Sequence, residues 1–406
     1  MIAILLAANA IWVWKTGSRL EEKLAALRAD GDPLSLADLA REPIPPEKNA
    51  AVFLRRAMSD LEGMEKEWTD VYASEGYESG RLSESELKTI RSTLETYPKV
   101  VPLLEQAAAC PDYDPQVDYT VAPQAFLEEH LDRISDPRSA ARVLRARVLL
   151  LLSQGEREQA LRTCITMFRL CHHFDQEPMV VGYLVSLACR RIAVEATNLV
   201  LRAGPLSKDS RQVLEAELAL HDGAQAYQHA LKTERAYGLD SFRTMPGRNF
   251  WLASRALWND ATCYYLDMID RQVAAVSRPY SELVATTPAP ARHRIGFRVL
   301  ADLAEPAMAA GRQAMERTTA RIRCLRVLNA LQARPEQAGA ETPKLSDLGL
   351  PADATTDPFT GKPLHLKKLP AGWLVYSVGK DLKDDGGDLS EDRDVGVGPR
   401  RPEDKK

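Results

Sequence analysis

Apolar side chains at helical spacing, repeated segment after segment and cut by helix breakers, constrain this chain more than any other feature. The stretch from Asp136 to Cys171 carries the pattern best. Asp136-Pro137 is a helix start: an Asp side chain can accept from free backbone N–H groups, and Pro fits the first helical position. Val143, Leu144, Val148, Leu151 and Leu152 then share one face, Gly155 breaks the run, and Ala160, Leu161, Cys164, Met167, Phe168 and Cys171 line a second stripe. Two helices with one apolar face each cannot bury those faces alone, so further helices must lie alongside.

Similar stripes recur along the chain. Asn49 precedes Val52, Phe53, Leu54 and Met58, and Ser83 with Glu86 forms a capping box ahead of Leu87, Ile90 and Leu94. Pro102 opens a segment that ends at Ala109. Glu177-Pro178 precedes a long run through Leu201, closed by Ala203-Gly204-Pro205. Ser207 or Asp209 starts another helix, and a further one covers about Ala224 to Ala236. Gly238 to Arg248, with Met245-Pro246-Gly247 inside it, reads as a loop. Phe250, Trp251, Leu257, Trp258, Tyr264, Tyr265 and Ile269 mark an aromatic helix suited to core packing. Thr286 to Pro290 is a linker, and a last long helix is expected from about Ala307 to Leu331. Cys110 to Gln124, with Pro111, Pro115 and Pro123 among Asp112, Asp114 and Asp118, reads as a loop.

A chain of 406 residues exceeds the usual size of a single core, so two units are expected. The formal charge of −4 argues against a general nucleic-acid binder. Six cysteines are scattered without a C-x-x-C, which favours buried free thiols over a zinc site or a disulfide frame. No G-x-S-x-G, phosphate loop or dinucleotide-binding glycine set is present. His172-His173 sits at a helix C-terminus, where protonated imidazole is favoured. Arg142, Arg145 and Arg147 spread around a helix and read as solvated.

Ile2 to Trp14 is apolar without a charge, and Trp12, Trp14 and Lys15 resemble an interfacial belt. The run is shorter than the roughly 20 residues that span a bilayer, so the expectation is a membrane anchor whose start lies further upstream. A buried N-terminal helix is the alternative. Lys15, Arg19 and Lys23 after the run, taken literally, favour a cytoplasmic body; an upstream basic segment would reverse this, and an extracytoplasmic body on the periplasmic side is expected.

From Thr342 the texture changes. Asp357-Pro358-Phe359-Thr360-Gly361-Lys362-Pro363 is followed by a strand with Leu364, Leu366 and Leu369, a turn at Pro370-Ala371-Gly372, and a second strand from Trp373 to Val378. A two-stranded hairpin needs support, for which the helix ending near Leu331 is the natural candidate. Residues 318–395 resemble the globular end of type II secretion major pseudopilins. Asp357, Pro358, Phe359, Gly361 and Pro363 match that family's first motif with Thr360 inserted; Tyr376, Ser377, Gly379 and Asp381 match its second, with Leu382 replacing a glycine. The resemblance implies a calcium-binding loop, with Asp385, Asp388, Asp392 and Asp394 as ligand candidates. The family's cleavage site and the Glu just inside its apolar run are absent. The central hairpin is similar to tetratricopeptide-type repeats, with Ala160 at the small-residue position and Leu144 and Leu151 at packing positions; His172 stands where that family closes with Pro, and its period of about 34 residues does not recur elsewhere. The whole layout looks like uncharacterised bacterial membrane-anchored helical proteins.

The expectation is therefore a mainly α fold: an antiparallel, repeat-like array of helical hairpins with a small C-terminal helix plus β-hairpin module. The expected division is an anchor over 1–17, a helical region over 18–134, a repeat-like domain over 135–305, the helix and hairpin module over 306–382, and an acidic tail over 383–406. The expected function is non-enzymatic binding of protein or peptide partners at the cell envelope. The alternatives are an accessory component of a type II secretion or pilus-like apparatus, and a hydrolase whose site is assembled from distant helices, for instance around Asp112, Asp114 and His130.

Overall fold

The computed structural model describes residues 2–133, 136–245, 252–286, 299–333, 343–390 and 393–399. The fold is mainly α with a small antiparallel sheet near the C-terminus. Its helices are α1 (Ile2–Ala29), α2 (Ala50–Glu67), α3 (Thr69–Tyr72), α4 (Glu75–Ser79), α5 (Glu84–Thr96), α6 (Val100–Ala109), α7 (Pro123–Arg133), α8 (Asp136–Ser153), α9 (Arg157–Phe174), α10 (Met179–Arg202), α11 (Lys208–Leu220), α12 (Gln225–Thr244), α13 (Leu252–Ala275), α14 (Tyr280–Thr286) and α15 (Val299–Leu331). The strands are β1 (His365–Leu369), β2 (Gly372–Ser377) and β3 (Val395–Val397), in that spatial order.

Local chemistry sets the helix ends. The Asn49 side chain accepts from the Ala51 N–H at 3.0 Å and starts α2. The Ser83–Glu86 capping box starts α5, and Ser207 starts α11 by accepting from Ser210 N–H. Gly155, at φ +79°, makes the left-handed turn between α8 and α9. The apolar stripes of the central hairpin then meet as expected: Val143, Leu144, Val148, Ala160, Cys164 and Phe168 are all fully buried. α9 packs on α8, α10 and α6, while α2 packs on α6 and α8. One continuous core runs from Leu61 and Met64 of α2 through this hairpin to Leu325 of α15 and to Val375 and Val397 of the sheet. α15 supports the sheet, as the hairpin required. A second core joins Tyr183 of α10 to Tyr227 and Leu231 of α12, Tyr265 and Ile269 of α13, and Met315 of α15.

Several elements differ from the sequence reading. Residues read as the start of a loop at Gly238 continue α12 to Thr244. Gly238 is there for close approach, not for a turn: a Cβ on it would collide with the hydroxyl of Tyr265, which donates to the Glu234 carbonyl at 2.9 Å. α15 begins at Val299, upstream of the expected Ala307. Arg145 is buried, not solvated; it donates to the Tyr77 and Glu78 carbonyls and stacks 4.4 Å from the Tyr77 ring centroid. A third strand, β3, lies within the stretch read as an acidic tail, pairing Val375 with Val397 and Ser377 with Val395. Three residues are too short for a periodicity signal, so this strand was invisible to pattern reading. The linker expected at Thr286–Pro290 lies outside the described residues beyond Thr286.

Asp357 organises the C-terminal module. It is fully buried, and its carboxylate accepts from Phe359 N–H at 2.8 Å, Ser377 Oγ at 2.8 Å and Val378 N–H at 3.1 Å. One side chain thereby ties the Asp-Pro-Phe turn to the end of β2.

Gly238→Ala is expected to destabilise the protein by about 2 kcal/mol, because a methyl group has no room between α12 and α13. Urea denaturation checks this; unchanged stability would mean that Tyr265 does not pack where described.

Candidate functional site

Four segments that the sequence places far apart wall a cleft of about 670 Å³. They are the turn after α1, the loop between α6 and α7, the α9–α10 turn, and one face of α12. A cleft of this size falls in the range of ligand sites.

Each wall has an anchor. Asp32, just past α1, pairs with Lys232 at 2.6 Å and with Arg235 of α12. Arg235 is itself buried and reaches Asp270 of α13 at 2.6 Å. The Leu36 N–H donates to Asp240 at 2.7 Å. Asn49 holds the second wall: its Oδ1 accepts from Asp114 N–H and its Nδ2 donates to the Asp114 carbonyl, both at 3.0 Å. The third wall is fastened by α12, since Met179 N–H donates to Thr233 Oγ1 at 2.9 Å and Val180 N–H to Glu234 Oε2 at 3.0 Å. Burial pushes the Glu234 carboxyl up.

Backbone strain gathers here. Gln116, at φ +57°, lies in the α6–α7 loop, and Met179, at φ +69°, follows the α9–α10 turn. Non-glycine residues in this conformation cost about 1–3 kcal/mol and persist where their surroundings over-determine them. The Thr233 and Glu234 bonds supply that determination at Met179.

Tyr113 lies in the cleft wall and donates to Glu177. Burial and the Glu177 charge keep its hydroxyl protonated. The other Glu177 oxygen faces His130 Nδ1 at 3.6 Å, a contact longer than a hydrogen bond. Burial, reinforced by Arg133, pushes His130 down to about 4, so it is neutral near pH 7. Tyr113 also stacks on His173, 6.1 Å between ring centroids. Burial and the neighbouring His172 push His173 down to about 4 as well. The favourable protonated imidazole read at this helix end therefore does not hold for His173: desolvation outweighs the helix-terminal field.

Of the residues named as a hydrolase centre, Asp114 lines the cleft, where its Oδ1 accepts from Gln116 N–H at 2.8 Å. Asp112 is exposed, and its backbone pairs with Lys48 and Ala50. His130 is buried against Phe126 and Glu177. The fold thus brings His130 to Glu177, and not to Asp112 or Asp114. Sequence reading took Glu177 only as part of the helix start at Glu177-Pro178, and Tyr113 only as part of the Cys110–Gln124 loop.

The calcium candidates lie on one loop. Asp394 accepts from Gly387 N–H at 2.6 Å and Asp385 N–H at 3.3 Å, and Asp388 pairs with Arg393. Burial, with Asp384 and Asp385 nearby, raises the Asp394 carboxyl. Asp392 lies outside the described residues. Among the described residues, no group of three or more His, Cys, Asp and Glu side chains is placed to hold a metal ion.

The buried imidazoles make stability pH-dependent. Both are neutral in the fold and titrate near 6.5 when unfolded, so the unfolded chain binds more protons between about pH 4 and 6.5. Stability should fall as the pH drops through that window, by up to about 1.4 kcal/mol per unit for each imidazole. Denaturation of the wild type and of a His130→Gln, His173→Gln double variant checks this. The variant should show a shallower slope; an unchanged slope would assign the effect to other groups.

Comparison with protein-family models, with curated proteins and with solved structures finds no match for this chain.

Proposed function

We propose that the protein is a membrane-anchored, non-enzymatic helical scaffold that binds protein or peptide partners at the cell envelope, with the cleft as its binding site. The observation that carries the reading is the outer half of α1. Ile4, Leu5, Leu6, Ile11, Trp12 and Trp14 are all exposed, Ile4 by 74% and Trp14 by 69%. These residues spread over most of the helix circumference, with the half-buried Asn9 and Val13 on the remaining side, so an apolar medium would cover all of them at once. The stretch from residue 3 to 14 measures about 18 Å, against about 30 Å of bilayer hydrocarbon. No described helix is long and apolar enough to cross a membrane, so the reading is of insertion rather than a full span. The inner half of α1 is fixed to the body. Leu20 and Leu27 pack with Leu239, Cys263 and Leu266, and Arg19 and Lys23 both pair with Asp267. The cleft wall begins at Arg28, about 20 Å along the helix from Trp14, which leaves it in water when the outer half is immersed. An extracytoplasmic body remains the favoured orientation.

A second reading, an accessory part of a secretion or pilus-like apparatus, draws support from the C-terminal module. Leu382, which replaces a glycine of the pseudopilin pattern, adopts φ +61°, a conformation natural to glycine. Unimpaired secretion in cells carrying Asp388→Ala and Asp394→Ala together would remove that support.

Flotation with phosphatidylcholine vesicles tests the anchor. The full chain is expected to float, and a variant with Ile4, Leu5 and Ile11 each replaced by Glu is expected to stay in the dense fraction with unchanged helical circular dichroism. Equal behaviour of the two proteins would overturn the reading.

A further inference from the structure

The cleft holds cationic groups without a carboxylate partner. Of the acids in its wall, Asp32 is paired with Lys232 and Arg235, while Asp38 and Asp114 each accept one backbone N–H, from Leu34 and Gln116, both at 2.8 Å. Two arginines pair with no carboxylate among the described residues. Arg41 is exposed and, among the described residues, its side chain bonds only the neutral Gln176 side-chain carbonyl, at 2.9 Å. Arg28 is exposed at the end of α1 and makes no ion pair or side-chain hydrogen bond among the described residues. Burial, reinforced by the charges of Arg41 and Lys232, lowers the pKa of His229 in the cleft wall. Between these donors the lining is apolar and rigid, with Tyr113, Tyr119, Pro115 and Pro178. Guanidinium groups pair best with planar carboxylates, in bidentate form.

We propose that the cleft takes an extended peptide segment through a carboxylate held by Arg41 and Arg28, with the residues beside it packed on Tyr113, Tyr119 and the prolines. This rests on the partner-binding reading above and adds the ligand chemistry. The carboxylate has two sources, an acidic side chain or a free chain terminus. Neutral and basic segments bind less well because they leave both arginines unanswered.

The test passes a randomised heptapeptide pool, prepared with free or with amidated C-termini, over the immobilised full chain in detergent, with retained peptides quantified by mass spectrometry. Carboxylate-bearing peptides are expected to be enriched about ten-fold relative to neutral ones, the scale of one charge-assisted pair. That enrichment should vanish in an Arg28→Gln, Arg41→Gln double variant and persist in an Arg56→Gln control, which alters an exposed arginine stacked on Phe53 outside the cleft. Enrichment that survives amidation assigns the side-chain source; enrichment confined to free termini assigns the chain end. Retention without carboxylate preference overturns the ligand chemistry and leaves peptide binding standing. Absence of retention overturns both, while the flotation result stands or falls independently.

Discussion

Arg235 is the constraint on which the arrangement depends. It lies buried in α12 and holds Asp32 past the end of α1 on one side and Asp270 of α13 on the other. A buried guanidinium is tolerated only with its carboxylates in place, and removing one partner of such a set typically costs about 3–5 kcal/mol. The geometry of three elements is therefore coupled. α1 must run alongside α13, and the turn after α1 must stop where α12 can reach it. That turn is also the first wall of the cleft, so one ionic junction sets both the direction of the apolar helix and the shape of the proposed binding site.

The remaining walls follow the same logic on a smaller scale. Irregular loops cannot be positioned by hydrophobic stripes, so single polar side chains do the work. Asn49 starts α2 and clasps both backbone groups of Asp114. Thr233 and Glu234 hold the first residues of α10, where Met179 sits in a strained conformation. Beneath them Tyr113, Glu177, His130 and His173 form a floor of neutral imidazoles and a protonated phenol around one carboxylate. Such a floor is stiff near neutral pH and loses its advantage in acid.

What the sequence made legible follows from these physical differences. The central hairpin was readable because Gly155 and two apolar stripes are local signals. So were the capping roles of Asn49 and Ser83, the start of α11 at Ser207 or Asp209, and the β1–β2 hairpin, whose Asp357 and Ser377 the motif reading singled out. The bonds that shape the cleft were not readable, because they join residues separated by tens to hundreds of positions, as Asn49 does with Asp114 and Asp32 with Arg235. Gly238 misled for a related reason: a glycine breaks a helix in isolation, yet here a tyrosine from α13 needs its empty side. Arg145 misled because a charged residue on a helix is usually solvated, whereas here the Tyr77 ring and two carbonyls receive it.

The central claim is that the inner half of α1 is part of the folded body and not a loose tether. Hydrogen exchange of the full chain, read by mass spectrometry, measures this directly. The account predicts that amides from Leu20 to Ala29 exchange as slowly as those of α13 against which they pack. Exchange in that segment as fast as in residues 4–14 of the lipid-free protein would contradict it.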